Sequence, residues 1–505
     1  MTPVLRLQNI TKRFGPLVAN DAISLDLARG EVVALLGENG AGKTTLMNIL
    51  FGHYVADEGT VEAFGKPLPP GDPRAALAAG IGMVHQHFTL ADNMTVLENI
   101  ALGTQSPWKP VFDRRGAAGR IRRLASDFGL EVDPARMVSS LTVGERQRVE
   151  ILKALYRDAK ILILDEPTAV LTPIETDALF ATLRKLVANG LSIIFISHKL
   201  HEVMAISDRV VVLRGGRLAG ERRTMETTRQ ELAALMVGQE IAPPAIPPVA
   251  RGPALMRLDG VSTAGGETRR ALEHLSLALH GGEITGLAGV SGNGQSALAD
   301  LIAGAERPIA GKILVGDAAM EAWSPTRALD AGVARIPEDR HAVGTIGDMS
   351  VTENVIAERY RSRRFSRHGF LDWKAARAFA EQLIRDYDVK CPSPEARIRL
   401  LSGGNMQKLI LGRALDPDPA IILANQPTRG LDVGAISYVH GRLLDARARG
   451  AAILLFSEDL DEILTLSDRV LVMFRGRLST PSARGERSVR DLAELMAGHG
   501  LEEAA

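Results

Sequence analysis

The sequence has one cysteine, Cys391, in 505 residues. An internal disulfide is therefore excluded, and so is a zinc site built on several cysteines; the usage suits a reducing compartment. No charge of either sign is in excess, with 60 Lys and Arg against 60 Asp and Glu. Nothing thus directs the chain as a whole to nucleic acid. No apolar run approaches the ~20 residues that a membrane-spanning helix needs. The greasiest stretches, residues 161–164, 191–197 and 451–456, have the length of buried strands. The opening "MTPVLRLQNI" lacks the basic-then-apolar pattern of a signal peptide. The expectation is a protein that is soluble by itself and free to dock on a membrane protein. Apolar residues make up 46%, ordinary for a globular chain, and the length suits roughly two to four domains.

What is present is a repeat. "GENGAGKTT" from Gly37 matches "GVSGNGQSA" from Gly289, and Gln86 faces Glu338 at the same offset of 252. "LTVGERQRVEILKAL" from Leu141 matches "LSGGNMQKLILGRAL" from Leu401 at an offset of 260. Asp165 against Asn425 and His198 against Glu458 keep that second offset. The net eight extra residues of the second half therefore fall between Glu338 and Leu401. Residues 241–253, "IAPPAIPPVARGP", hold five prolines and read as a short, semi-rigid linker between domains 1–240 and 254–505. Residues 31–37, "AKILILDEP" and "LSIIFISH" read as buried strands, and residues 174–189 as a helix between the last two. "KTTLMNILFG" reads as a helix ended by Gly52. Strands alternating with helices predict an α/β fold, a largely parallel sheet covered by helices.

"GENGAGKT", residues 37–44, fits G-x-x-x-x-G-K-[ST] between a strand and a helix. Its glycines permit a tight turn that aims backbone N–H groups at phosphate oxygens, and the helix N-terminus adds positive potential. Lys43 can reach the β- and γ-phosphates of a nucleotide held there, and the Thr44 hydroxyl can ligate magnesium. A carboxylate at a strand end, Asp165, suits magnesium through water. Glu166 beside it is placed to orient and deprotonate an attacking water. An acidic pair at a strand end is usually only a solvated loop, but a phosphate loop upstream favours the chemical reading.

These motifs together resemble the ATP-binding-cassette ATPases over nearly the whole chain. "LSGGNMQK" is similar to the family signature and "LTVGERQR" to a weakened copy. The resemblance implies two tandem P-loop cassettes, each with a helical subdomain, and ATP and Mg²⁺ as cofactors. It implies that Phe14 stacks on adenine, that Gln86 serves catalysis and the metal, and that His198 is the switch histidine. The tandem layout, with "MVHQHF" and "QPTRGLDVGAI", resembles the ATPase subunits of bacterial nucleoside and simple-sugar importers. Integral-membrane permeases and, through them, an extracytoplasmic solute-binding protein are the implied partners, with no nucleic acid. The implied place is the cytoplasmic face of the inner membrane.

In this family two cassettes pack head to tail, and each ATP lies between one phosphate loop and the other cassette's signature. Sorted this way, one site takes Phe14, Gly37, Glu38, Asn39, Gly40, Ala41, Gly42, Lys43, Thr44, Thr45, Gln86, Asp165, Glu166 and His198 from the first half. It takes Ser402, Gly403, Gly404 and Asp432 from the second. Every one has the expected chemistry. The other site has Gln295 for lysine, Asn425 and Gln426 for the acids, Glu338 for glutamine and Glu458 for histidine. Its facing signature carries Thr142 and Val143, its facing D-loop ends in Thr172, and "STAGGETRR" offers no stacking aromatic. One competent site and one degenerate site are expected.

The segment after Gln86, residues 87–100, is expected to form part of the permease-docking surface. The rival is a soluble tandem cassette acting on ribosomes. It is disfavoured by the short Pro-rich linker and the crippled second site. "RRFSRHGF", residues 363–370, is basic with aromatics interleaved; a solvated loop or docking face outweighs a nucleic-acid contact.

Overall fold

The apolar runs singled out in the sequence become the central strands. The computed structural model describes residues 3–85, 88–104, 112–168, 171, 173–197, 199–238, 246–266, 270–290 and 292–500, with the side chains of 173 and 174 excepted. Its contacts divide into two compact units, Met1–Ala242 and Pro243–Ala505.

In the first unit, strands Val32–Gly37, Ile161–Asp165 and Ser192–Ile196 are buried at every residue. They run parallel, with Val33 beside Ile194 and Asp165 beside Ile196. Such runs are apolar on both faces because helices cover both faces of a parallel sheet. Among the described residues the sheet order is Arg217–Arg223, Arg209–Arg214, Val32–Gly37, Ser192–Ile196, Ile161–Asp165, Ile81–Val84. Parallel direction brings the carboxyl ends of three strands, Gly37, Ile196 and Asp165, to one edge. The helix begun by Lys43 runs to Leu50, and Gly52 follows its C-cap at φ 85. A Cβ at Gly52 would lie 2.6 Å from the Asp72 carbonyl carbon, so only glycine fits that close approach.

A second, four-stranded antiparallel sheet of Leu5–Phe14, Leu17–Leu27, Glu58–Ala63 and Lys66–Pro67 stands beside the parallel one. Apolar runs do not disclose it. Its strands are half-buried, and register shifts between Leu7 and Ile10 break the alternation that marks such strands. Helices Val96–Ala101, Arg114–Phe128 and Val143–Tyr156 pack on one another as a helical layer.

The second unit repeats this plan. Strands Ile284–Ala288, Ile421–Asn425 and Ala452–Ser457 are buried throughout and parallel. Its helical layer is Val351–Ile356, Trp373–Asp386 and Gly403–Leu415. Matched helix caps locate the eight extra residues. Thr95 corresponds to Ser350, Asp113 to Asp372, and Thr142 to Ser402. Counted from Gln86 and Glu338, three extra residues precede Ser350, four lie between Ser350 and Asp372, and one follows. The three fall with a π-helical turn, Arg340–Gly344. The four fall with a hairpin pairing Ser366–Arg367 to Phe370–Leu371, whose turn residues His368 and Gly369 both have positive φ. This hairpin is the basic, aromatic stretch of the sequence, and Phe370 on it is 81% exposed.

The described end of the Pro-rich linker is fastened to the second unit. The Pro247 carbonyl accepts from Arg447 at 2.8 Å, and the Gly252 N–H donates to Gly281 at 2.7 Å. Arg447 is held in turn by both oxygens of Asp468 at 2.8 and 2.7 Å.

Candidate functional site

Glycine geometry builds the cradle of the first unit. Gly42 lies at φ 97, and a Cβ there would stand 2.3 Å from the Ala19 carbonyl oxygen. Asn20, fully buried, donates from Nδ2 to the Gly42 carbonyl at 3.1 Å. The turn thereby held delivers Lys43, Thr44 and Thr45 as the first residues of an eight-residue helix. Their backbone N–H groups are among those a helix leaves without intrahelical partners. The Lys43 ammonium folds back on the loop, donating to the carbonyls of Gly37 at 2.6 Å and Glu38 at 3.0 Å. The Ala41 N–H closes the turn on Glu38 at 3.1 Å. A cationic, amide-lined cradle of this kind fits a phosphate chain.

Asp165 stands at the carboxyl end of its strand, 9% exposed. Burial pushes its carboxyl up to about 6; the Glu166 charge adds to this, and Lys43 opposes it. A buried carboxylate short of countercharge has the chemistry to hold a divalent cation. Glu166 follows at φ 46, with its N–H bonded to the Ile196 carbonyl at 2.9 Å. A left-handed conformation at a glutamate is costly, so the surrounding structure must hold it in place.

The raised value of Asp165 has a stability consequence. The folded form favours the neutral carboxyl, so its contribution is complete below about pH 4 and lost as pH rises through about 6. At pH 7.5 and without metal, the buried charge costs stability. Asp165→Asn is therefore expected to raise the unfolding free energy of metal-free protein by about 1–3 kcal/mol at pH 7.5. The gain should vanish near pH 4. Urea melts in chelator at both pH values check this, and a less stable variant at pH 7.5 would refute it.

Three supporting groups were not read from the sequence, the first being Asn20 beneath the phosphate loop. Glu202, 1% exposed, accepts from Thr168 at 2.6 Å and Ser197 at 2.8 Å and pairs with Lys199 at 3.3 Å. It thus ties the loop after Glu166 to the residues on either side of His198. The available signal was an acid four residues beyond that histidine in "SHKLHE". Phe14, 44% exposed at its strand end, packs edge-to-face with Tyr54, the ring centroids 5.7 Å apart. Gln86, His198 and Thr172 lie outside the described residues.

The second unit keeps this scaffold with other chemistry. Gln295 donates from Nε2 to the Val290 carbonyl at 3.1 Å, repeating the bond of Lys43 to Glu38. Its Oε1 is buried and has no hydrogen-bond partner among the described residues. Gln426 lies at φ 47 with its N–H on the Phe456 carbonyl at 2.9 Å, the geometry of Glu166. Asn425, 4% exposed, replaces the buried carboxylate. Of the residues that the sequence assigned to the degenerate site, Gln295, Glu338, Asn425, Gln426 and Glu458 line one cleft together with Ser296; Thr142 and Val143 belong to the first unit. Among the cleft's described lining residues none is cationic, so it lacks the countercharge that Lys43 gives the first unit.

Ser402 caps helix Gly403–Leu415, with its Oγ accepting from the Asn405 side chain at 2.9 Å. Gly403 and Gly404 form the helix's first turn, the place where free N–H groups gather. Asp432 caps helix Val433–Ala448 through the Ala435 N–H at 2.8 Å. In the first unit Thr142 caps the matching helix and Val143 is exposed there.

A family model described as ABC transporter matches residues 20–169 and 272–429. The chain is 45% identical to a glucose import ATP-binding protein of Haloferax volcanii, covering 94% of this chain and 92% of that one. It is 42% identical to a guanosine import ATP-binding protein of Bacillus subtilis, covering 100% and 99%. It is 42% identical to a nucleoside import ATP-binding protein of Lactococcus lactis, covering 99% of each. An archaeal ribosome recycling factor, solved with a ribosomal stalk protein, shares the fold at TM-score 0.66 and 20% identity, covering 96% of this chain and 92% of that one.

Proposed function

The chain belongs to the ABC transporter family of ATP-binding proteins, and from that membership we propose that it is the ATP-hydrolysing subunit of a membrane importer for nucleosides or simple sugars. One observation carries the assignment of work. The first unit unites Lys43, Asp165 and Glu166 at one sheet edge, whereas the second keeps the same backbone with Gln295, Asn425 and Gln426.

In this reading Phe14 and Tyr54 take the adenine, and the loop Gly37–Thr45 with Lys43 takes the phosphates. Thr44, Asp165 and Gln86 hold magnesium, which offsets the charge of the β- and γ-phosphates. Glu166 orients the attacking water and accepts its proton, and His198 contacts the γ-phosphate. Ser402, Gly403, Gly404 and Asp432 complete the site from the other cassette in a head-to-tail pair. The second cleft holds nucleotide weakly or not at all and serves the pairing. Likeness to a ribosome recycling factor at 20% identity is likeness of fold, and the import relatives favour transport over translation.

Permease subunits on the cytoplasmic side of the inner membrane are the direct partners, and a solute-binding protein acts through them. A groove of the first unit suits the docking. Phe51, Met83, His85, Thr89, Lys153 and Arg157 are among the residues that line it. Thr89, in the segment after Gln86, donates from its backbone and hydroxyl to Glu150 at 2.5 and 3.0 Å, and Lys153 donates back to its carbonyl at 3.2 Å. The docking segment is thus tied to helix Val143–Tyr156, so motion of one reaches the other. With Cys391 replaced, a cysteine at Thr89 or His85 is expected to form a disulfide with a cytoplasmic loop of the permease. No cross-link at any paired position would reject docking here. Pull-down from membranes should bring permease subunits; recovery of ribosomes instead would overturn the transport reading.

A further inference from the structure

The turn Arg340–Gly344 lies where the second unit carries its three extra residues. Asp339 opens it, accepting from the backbone N–H groups of His341 and Ala342 at 2.8 and 2.9 Å. Beyond this anchor, the Arg340 guanidinium makes two bonds at once. One arm donates to the Gly403 carbonyl at 3.3 Å, and the other donates to the Arg429 carbonyl. The Arg429 side chain pairs with Glu338, two residues before Arg340. Residues 338–340 and Arg429 are thereby closed into one ring, and the bond to Gly403 ties the 402–404 turn to it. Burial lowers the Arg340 pKa from its ordinary value, yet an arginine stays charged. A planar fork fixes the angle between the two carbonyls it binds, whereas an ammonium on a flexible stem sets no such angle. The first half has Phe88 two residues after Gln86 and Ala169 opposite Arg429, and neither side chain can build this ring.

The two turns that Arg340 joins are the ones the second unit contributes to the other cassette's ATP in the reading above. We propose that Arg340 is a positioning residue for hydrolysis at the first unit's ATP. It holds the Ser402–Gly404 turn and the Arg429–Asp432 turn in one fixed relation, so that both meet the γ-phosphate together. The proposal rests on the head-to-tail reading, and its test must separate the two.

The full chain with Mg-ATP is assayed as Arg340→Met, Arg340→Lys, Ser402→Ala and the double variant Arg340→Met/Ser402→Ala. Arg340→Met is expected to lower kcat at least about tenfold, because small misplacement of positioning groups is costly. KM for ATP should stay within about twofold, since the groups that bind adenine and phosphates belong to the first unit. Arg340→Lys should recover less than half of the loss, because charge without the fork is not enough. The double variant should be no slower than Ser402→Ala, as for residues acting as one unit. A slow Ser402→Ala beside an unaffected Arg340→Met would overturn the role of Arg340 alone. Unaffected Ser402→Ala would overturn the head-to-tail reading beneath it. Fully additive losses, or KM rising with the fall in kcat, would make Arg340 a general brace and overturn the proposal. If Arg340→Met does not fold, Glu338→Gln opens the same ring at its ion pair and should show a smaller loss confined to kcat; an unchanged kcat there would count against the ring.

Discussion

Replacing Glu166 by glutamine lowers ATP turnover of the full chain by roughly 10²–10³-fold while ATP binding persists, the scale of loss for a general base. The substitution is the one the second unit already carries at Gln426. Both residues sit at left-handed φ, 46 and 47, with the N–H bonded to the neighbouring strand at 2.9 Å. An amide at Glu166 therefore fits without rearrangement, and the lost carboxylate is the single chemical change. The reverse substitution, Gln426→Glu, adds no second working site, because Gln295 and Asn425 still lack a cation and a metal carboxylate. Steady-state phosphate release measures both. Glu166→Gln at the parent rate, or Gln426→Glu doubling turnover, would refute the one-site reading.

Lys43→Ala weakens ATP binding by roughly 10–100-fold, on the basis of about 1.5–3 kcal/mol for a hydrogen bond to a charged group. Turnover falls with it, since charge stabilisation is most of phosphoryl-transfer catalysis. Gln295→Ala changes both quantities less than about twofold. The contrast follows from what each side chain does. Lys43 presents an ammonium beside Asp165 and over the loop carbonyls. Gln295 presents a neutral amide that satisfies the Val290 carbonyl. Fluorescent-nucleotide titration of the two variants separates them. Equal losses would mean that both clefts take ATP alike.

Much of the site was legible because phosphate chemistry is written in contiguous residues. "GENGAGKT" sets a turn, a helix start and a lysine within eight positions, and local spacing suffices to recognise it. The buried strands were legible for the same reason: a run apolar on both faces needs no partner to be identified. The antiparallel sheet was not legible, because half-buried strands with shifted register dilute their own pattern. Asn20, Tyr54 and Glu202 were missed because each acts on a residue 22, 40 or 34 positions away.

The sequence by itself determined that the chain is a repeat and which chemical groups each half carries at matched positions. A residue's charge or its lack is fixed by the code, so Asn425 and Gln426 announce a site without acid before any fold is known. Only the tertiary structure decided that Gln295, Glu338, Asn425, Gln426 and Glu458 share one cleft. Only it decided that Asp165 is buried enough to hold its proton to about pH 6, a cost that Asn425 avoids. Only it joined Arg340 to Gly403 and Arg429 across 63 and 89 positions of chain. Desolvation and shared cavities arise from strands and turns distant in sequence, and no local pattern contains them.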